Sequence, residues 1–391
     1  MKIDWPHRGH AYSKQEIDAV VEIMSNPKIQ LTQGSRVLKF EEDFMNYLGS
    51  ENAFSLMSAA HGLDISANLI EIQKGDEVII PSHTYCATAL AYARRGEIIK
   101  WADICPNSLT VTLESISKLI TPKTKAVVVV HLYGLICPDI YKISDFLKNK
   151  SIFLIEDCAQ SLGSKFKGKH CGTIGDIGIF SFHSQKNLTT LGEGGMMVVK
   201  DQNLAKHVKG LRLNGHAPFT NKDEYWLPAM SNVDEDISGI WPIKSSMNEA
   251  QGVIGSLIIG RMDSLTDSRR SLSNFIRTKL KNQSELKFQE IHSEAAHSHH
   301  LLPLMCISDK WNRDDLIKLL FNKYDIKCVI QYYPLNRYDL FKKRGMANAN
   351  VPNTDKFYDN MISLPFSLTL SEEESVYLVD SIIEAVRELN K

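Results

Sequence analysis

From residue 60 onward, short apolar runs alternate with stretches whose apolar residues recur at helical spacing. The clearest apolar runs are EVIIP (77–81), KAVVVVHL (125–132) and SIFLIED (151–157). A run such as VVVV is apolar on both faces, as expected of a parallel strand that helices cover on both sides. The alternation therefore predicts a doubly wound α/β domain with a mostly parallel sheet.

Two further regions flank this alternating part. The N-terminal region opens with a capping-box pattern, Ser13 to Glu16, before a helical run. After about residue 245 the sequence changes to helical stretches, the longest over 247–265, separated by an apolar run at 301–308 and ending in a helix from Ser371. We predict a large domain over residues 1–245, which includes the N-terminal helices, and a small α+β domain over residues 246–391.

Composition narrows the class of protein. The chain has 391 residues and a formal net charge of −1, from 45 basic and 46 acidic side chains, which argues against a dedicated nucleic-acid binder. No stretch approaches the roughly 20 apolar residues that span a bilayer, and MKIDWPHRGH lacks the apolar core of a signal peptide. The 7 cysteines are scattered without a CxxC pair, which is typical of reduced thiols. We expect a cytoplasmic enzyme.

Two charged residues stand at positions where chemistry is expected. Asp157 ends the run SIFLIED, and carboxyl ends of parallel strands are where open α/β sheets bind ligands. Lys186 lies in a loop between the apolar runs 176–182 and 194–199. A buried lysine has a depressed pKa and becomes a nucleophile that can form a Schiff base. The alternatives are a helix N-cap for Asp157 and a solvated side chain for Lys186.

Two other positions suit a planar ligand that carries a phosphate. Tyr85 follows the run EVIIP and can stack on a ring or serve in packing. Ser58, Ala59 and Ala60 precede an apolar helix, whose free backbone N–H groups suit an anion. An ordinary helix cap is the alternative.

The densest histidine cluster comprises His292, His297, His299 and His300. Its spacing fits no metal-binding motif, and the segment runs directly into the apolar run at 301–308. We predict a loop that enters a sheet here and no metal site.

Several segments, spread in order through nearly the whole chain, carry a resemblance to a known family. They are FEEDFMNYLG, KGDEVIIPSHTYCATA, ITPKTKAVVVVHLYG, LIEDCAQSLGSKFKGKHCGTIGDIGIFSF, QKNLTTLGEGGMMVV and ISLPFSLTLSEEE. They resemble the sugar aminotransferases named after DegT, DnrJ, EryC1 and StrS. The resemblance implies pyridoxal 5′-phosphate as cofactor and the aspartate aminotransferase type of fold (fold type I).

The resemblance also gives roles to individual residues. Lys186 resembles the lysine that forms the internal aldimine with the cofactor and then moves the substrate proton. Asp157 resembles the carboxylate that pairs with the pyridine nitrogen and keeps it protonated, so that the ring accepts electrons. Further contacts to the cofactor are implied for Tyr85 (stacking), Gln160 (ring hydroxyl or ring face), Ser181 (phosphate) and Asn187.

Two departures from the family pattern concern the phosphate. The family usually reads Ser-Gly-Thr where this chain has Ser58-Ala59-Ala60, so a threonine hydroxyl is missing while the backbone donors of Ala59 and Ala60 remain. The family also tends to carry an asparagine, donated by the partner subunit, where this chain has Lys244. The positive charge of Lys244 can replace the lost contact with the phosphate. The alternative is that Lys244 is a surface lysine that does not correspond to the family's asparagine.

By this resemblance, we expect a transamination from glutamate to a nucleotide-linked keto-sugar, in surface polysaccharide or amino-sugar biosynthesis. A homodimer with shared active sites is expected, with no nucleic-acid or membrane partner. Two alternatives remain open, namely another reaction on the same scaffold, such as elimination or decarboxylation, and a regulator that binds the cofactor without catalysis. The preserved Lys186 favours transamination.

The segment 214–240 is hard to match to the family. It is the part of the chain where we expect contacts that are specific to the substrate, although a polar surface excursion is the alternative. The candidates for contacts with the substrate are His183, His216 and Tyr225.

Overall fold

A seven-stranded sheet forms the centre of the computed structural model, which describes residues 1–215 and 241–391. Its strands, in spatial order, are β1 (Ala53–Leu56), β9 (Gly195–Val199), β8 (Ile177–Ser181), β5 (Phe153–Asp157), β4 (Thr124–Val130), β2 (Glu77–Pro81) and β3 (Ile98–Ala102). The strands from β8 to β3 pair in parallel, and β9 runs antiparallel to both of its neighbours. The mostly parallel α/β sheet is thus confirmed.

Helices precede, connect and follow these strands. They are α1 (Lys14–Ser25), α2 (Ser35–Leu48), α3 (Ala59–Leu69), α4 (Ala87–Ala93), α5 (Leu113–Ser117), α6 (Ile140–Lys148), α7 (Gln202–Leu211), α8 (Glu249–Ile259) and α9 (Met262–Leu280). The predicted capping box is present at the start of α1, where Ser13 and Glu16 each bond the other's backbone N–H. This satisfies donors that a helix start otherwise leaves free.

Aromatic packing holds α2 to the sheet. Phe40 and Phe44 of α2 are fully buried, and the Phe44 ring centroid lies 5.0 Å from Phe180 and 5.8 Å from Phe182. These edge-on contacts join the N-terminal helices to the strand that leads to Lys186.

A second, antiparallel sheet organises the C-terminal part. Its strands are β10 (Leu286–Phe288), β12 (Leu302–Cys306) and β13 (Met361–Leu364), accompanied by α10 (Arg313–Tyr324), α11 (Asp339–Lys343), α12 (Pro352–Asn360) and α13 (Glu372–Leu389). Short strands β6 (Lys165–Phe166), β7 (Lys169–His170) and β11 (Ala295–Ala296) form a third sheet. The expected smaller α+β part is therefore present.

One sequence expectation needs correction. The helical stretch predicted over 247–265 is two helices, because α8 ends at Ile259 and α9 begins at Met262. Residues Met247 to Leu265 share a buried cluster with the central sheet rather than with the C-terminal one. A division of the chain after residue 245 stays a prediction, and this packing favours a boundary further along, within α9.

No helix among residues 1–215 and 241–391 is both long enough and apolar enough to cross a membrane.

Candidate active site

A cavity of about 590 Å³ opens at the carboxyl ends of the parallel strands. Val130, Asp157 and Ser181, the last residues of β4, β5 and β8, all line it. This is the edge at which α/β sheets of this kind bind ligands. Most of the predicted site residues meet there: Ala59, Ala60, Tyr85, Asp157, Gln160, Ser181, His183 and Lys186.

Asp157 is held as a buried acceptor. Its Oδ2 accepts from Thr88 Oγ1 at 2.8 Å and its Oδ1 accepts from the Ala159 backbone N–H at 3.0 Å. Burial raises the pKa of the Asp157 carboxyl, while these two hydrogen bonds and the nearby Lys186 act in the opposite direction. No α-helix starts directly after Asp157, so the bond to Ala159 closes a local turn instead of a helix cap.

Lys186 projects into the same cavity from a loop that β8 and β9 hold at both ends. Phe182 N–H donates to Gly194 O at 2.8 Å, and Lys186 N–H donates to His183 O at 2.8 Å. Burial lowers the pKa of the Lys186 amine to about 8, against the opposing charges of Asp157 and Glu193. At pH 7.5 about a quarter of such an amine is neutral, which is the nucleophilic form.

Gln160 has a fixed orientation. Its Oε1 accepts from the Tyr133 backbone N–H at 2.8 Å, and its Nε2 donates to Tyr332 Oη at 2.8 Å. Nε2 keeps a second N–H that is not used in this pair of bonds. Tyr332 also meets Tyr85 edge-on, with ring centroids 5.9 Å apart. Gln160, Tyr85 and Tyr332 thus form one polar and aromatic wall of the cavity.

The start of α3 forms another wall. Ser58 Oγ accepts from His61 N–H at 3.3 Å, and Ala59 and Ala60 of the first turn line the cavity. First-turn N–H groups have no partner within a helix and attract anions. A Cβ at Gly195 would lie 2.6 Å from Ser58 C and 2.7 Å from Ala59 N, so only glycine lets β9 pass this close.

These groups fit pyridoxal phosphate. The cavity offers an amine with a depressed pKa, a buried carboxylate, an aromatic side chain and a helix start for a phosphate. Each matches one chemical feature of that cofactor: its aldehyde, its ring nitrogen, its ring face and its anion.

Other predicted site residues do not line this cavity. Asn187 is buried behind it, where Nδ2 donates to Ser298 O at 3.1 Å and Leu162 O at 3.3 Å. Lys244 is exposed and bridges Leu213 through the backbone. His216 and Tyr225, with most of the segment 214–240, lie outside the described residues.

Three members of the histidine cluster, His297, His299 and His300, are buried in the protein, whereas His292 is exposed. His297 and His299 stack with ring centroids 4.0 Å apart, and burial lowers the pKa of both. Within residues 1–215 and 241–391, the group whose ligand atoms lie close enough for a metal is His131, Glu156 and Cys158, all within 4.8 Å.

The sequence had not singled out Glu156, and its contacts show a structural role. It accepts from His131 Nε2 at 2.8 Å and from the backbone N–H groups of Gly172, Ile174 and Gly175. Burial alone raises the pKa of Glu156, but these donors lower it below its ordinary value. Glu156 therefore anchors the 172–175 loop beside β5.

Thr88, Glu193 and Tyr332 also face the site without having been predicted. Thr88 lies in the first turn of α4, three residues after Tyr85, and its N–H donates to Tyr85 O at 3.2 Å. Tyr332 comes from a distant part of the chain, and no local signal marks it.

Comparison with known proteins agrees with this geometry. Residues 11–386 match the DegT/DnrJ/EryC1/StrS aminotransferase family. The chain is 30% identical over 388 residues to the spore coat polysaccharide biosynthesis protein SpsC of Bacillus subtilis, covering 97% of this chain and 95% of SpsC. It is 30% identical over 358 residues to GDP-perosamine synthase of Escherichia coli O157:H7, covering 90% and 91%.

A solved structure shares the fold as well. The aminotransferase TlmJ from Streptoalloteichus hindustanus superposes with a TM-score of 0.88 and 25% identity, covering 99% of this chain and all of that one. A sheet of this topology, with a lysine and a carboxylate at its carboxyl edge, has the aspartate aminotransferase type of fold (fold type I). This chain belongs to the DegT/DnrJ/EryC1/StrS aminotransferase family, whose members depend on pyridoxal phosphate.

The first prediction concerns Asp157. Asp157→Asn keeps the shape of the side chain but removes its negative charge, so amino transfer from glutamate should slow by about 100-fold. The steady-state rate of 2-oxoglutarate formation measures this. Asp145→Asn, on the exposed side of α6, is the matched control. A rate within twofold of wild type in Asp157→Asn would rule out the assigned role.

A second prediction uses the cofactor-free protein. Because the pKa of Lys186 is lowered to about 8, its carbamoylation by cyanate should rise with a midpoint near pH 8. Exposed lysines in the same sample should have midpoints near their ordinary value of about 10.4. Peptide mass spectrometry resolves each site. A Lys186 midpoint that coincides with the exposed lysines would show that its amine is not desolvated.

Proposed function

We propose that this protein is a pyridoxal-phosphate-dependent transaminase that moves an amino group from glutamate to a keto-sugar attached to a nucleotide. The single observation that carries the proposal is that Lys186 and Asp157 face one cavity, the amine with a lowered pKa and the carboxylate buried. SpsC and GDP-perosamine synthase, by their names, act in polysaccharide and nucleotide-sugar chemistry. We place the protein in surface polysaccharide or amino-sugar biosynthesis.

The cofactor, when bound, supplies a carbonyl that exchanges amino groups and a ring that withdraws electrons. The chain's own residues do the rest. Asp157 stabilises positive charge at the ring nitrogen, and Thr88 keeps that carboxylate aimed at the cavity. With the cofactor bound, Lys186 Nζ would take a proton from the substrate carbon that carries the nitrogen and would deliver it to the carbon on the other side of that nitrogen. Its lowered pKa suits both directions of this transfer.

The small number of positive charges in the cavity supports an active site to which two copies of the chain contribute. Of the described residues that line it, Lys186 is the only lysine or arginine, and Asp157 and Glu193 are acidic. The carboxylates of glutamate and the phosphates of a nucleotide-sugar therefore need further cations. We propose that a second copy of the chain supplies Lys244, which is exposed in the single chain.

The surface around the cavity also supports a homodimer. Met57 and Tyr85 line the cavity yet are 46% and 57% exposed, and Leu191 of the Lys186 loop is 45% exposed. Large apolar side chains exposed near each other commonly mark a protein interface. Ser245, the neighbour of Lys244, accepts from Met57 N–H at 3.3 Å, which places Lys244 near this surface.

A cytoplasmic location is also proposed. All seven cysteines lie within the described residues and are free thiols, which suits a reducing compartment.

The proposed function predicts a defined product pair. With glutamate and a panel of nucleotide-linked keto-sugars, the protein should form one 2-oxoglutarate for each aminated sugar, with ping-pong kinetics. Coupled assay of 2-oxoglutarate and mass spectrometry of the sugar measure both. Lys186→Arg, which keeps the charge but is no nucleophile at this pH, should be inactive. Sugar consumption without 2-oxoglutarate would instead indicate elimination.

The shared-site proposal gives a fourth prediction. If Lys244 of the second copy bonds the cofactor phosphate, Lys244→Ala should raise the cofactor dissociation constant about 10- to 100-fold, since a hydrogen bond between charged groups is lost. Fluorescence titration of the cofactor-free protein measures this constant. Lys206→Ala, on the exposed face of α7, is the matched control. An unchanged constant in Lys244→Ala, or a monomer in sedimentation velocity at full activity, would contradict the proposal.

A further inference from the structure

The N-terminal segment touches the backbone of Lys186 directly. A Cβ placed on Gly9 would lie 2.1 Å from the Lys186 carbonyl oxygen and 3.0 Å from its carbonyl carbon. Carbon atoms in ordinary contact stay about 3.5 Å or more from such neighbours. Only a residue without a side chain therefore fits between this segment and the loop that carries Lys186.

Hydrogen bonds fasten Gly9 to the Lys186 loop on one side. Gly9 N–H donates to Ser184 O at 3.0 Å, two residues before Lys186. Next to it, Gln185 Nε2 donates to Pro6 O at 2.8 Å. The segment from Pro6 to Gly9 thus packs along the loop that carries Lys186.

The other side of Gly9 is fastened to the C-terminal part of the chain. Its carbonyl oxygen accepts from Arg269 Nη2 at 2.7 Å and from Leu368 N–H at 3.4 Å. Arg269, in α9, also donates from Nη1 to His299 O at 3.1 Å. One guanidinium therefore ties Gly9 to the segment after the third sheet.

Arg269 is unusual in its surroundings. It is 1% exposed, and among the described residues no carboxylate lies within ion-pair distance of it. Burial lowers its pKa to about 10, so it stays charged at neutral pH. Burying a cation whose only hydrogen-bond partners are carbonyl groups raises the free energy of the folded state. The planar guanidinium, however, can donate to several backbone carbonyls at once.

We propose that Gly9 and Arg269 are positioning residues that set where the Lys186 backbone, and so its amine, stands in the active site. The inference rests on the proposed function, because it assigns these residues to the placement of the catalytic lysine. The sheet holds the loop only through its ends at β8 and β9. Gly9 supports the middle of the loop at Lys186 itself, and Arg269 fixes Gly9.

Gly9→Ala tests this directly. The new Cβ must displace the Lys186 carbonyl by roughly 1 Å, and a displacement of that size at a reacting group costs up to about 100-fold in rate. We expect kcat to fall about 10- to 100-fold with the KM for glutamate within about twofold. The pH midpoint of the visible absorbance of the lysine-bound cofactor should shift as well. Gly260→Ala, whose Cβ meets only atoms at 3.4 Å and beyond, should match wild type.

A second variant, Arg269→Lys, and the visible absorbance of the wild-type protein complete the test. If Gly9→Ala yields no folded protein, Arg269→Lys, which keeps the charge but loses the fork, should still lower kcat several-fold and shift the same midpoint. Folded Gly9→Ala or Arg269→Lys with wild-type kcat and wild-type midpoint would overturn the proposal. Wild-type protein that never develops the visible absorbance would instead contradict the proposed function itself.

Discussion

The site depends on one physical constraint, which is that an amine and a carboxylate must both be withdrawn from water and still remain reactive. Asp157 is buried and Lys186 is half-buried in the cavity, and desolvation disfavours the charged form of both. Their mutual attraction opposes that effect only in part. The amine consequently has a pKa of about 8, near the pH at which it must gain and lose a proton.

Much of the surrounding structure serves to hold this pair. Thr88 and the Ala159 N–H satisfy the two oxygens of Asp157, so the carboxylate is not left unpaired when it is buried. Glu156, one residue earlier, faces away from the cavity and anchors the 172–175 loop. Adjacent positions of β5 thus serve stability and chemistry on opposite faces, as the alternation of a strand requires.

The sequence was informative where a signal is local. Alternating apolar runs predicted the parallel sheet, and the place of Asp157 at a strand end and of Lys186 between two strands followed from the same pattern. Prediction from the sequence failed for residues that reach the site from distant parts of the chain. Tyr332 and Gly9 reach the site only through tertiary packing, and no spacing rule connects them to Lys186. The break between α8 and α9 was also missed, because the apolar period continues across Gly260.

The most direct test of the account is to reduce the purified protein, loaded with pyridoxal phosphate, with borohydride and to map the modified peptide by mass spectrometry. The account predicts one pyridoxyl group per chain, attached to Lys186, and its disappearance when excess glutamate is added before reduction. An unmodified Lys186, or a label that resides on another lysine, would contradict it.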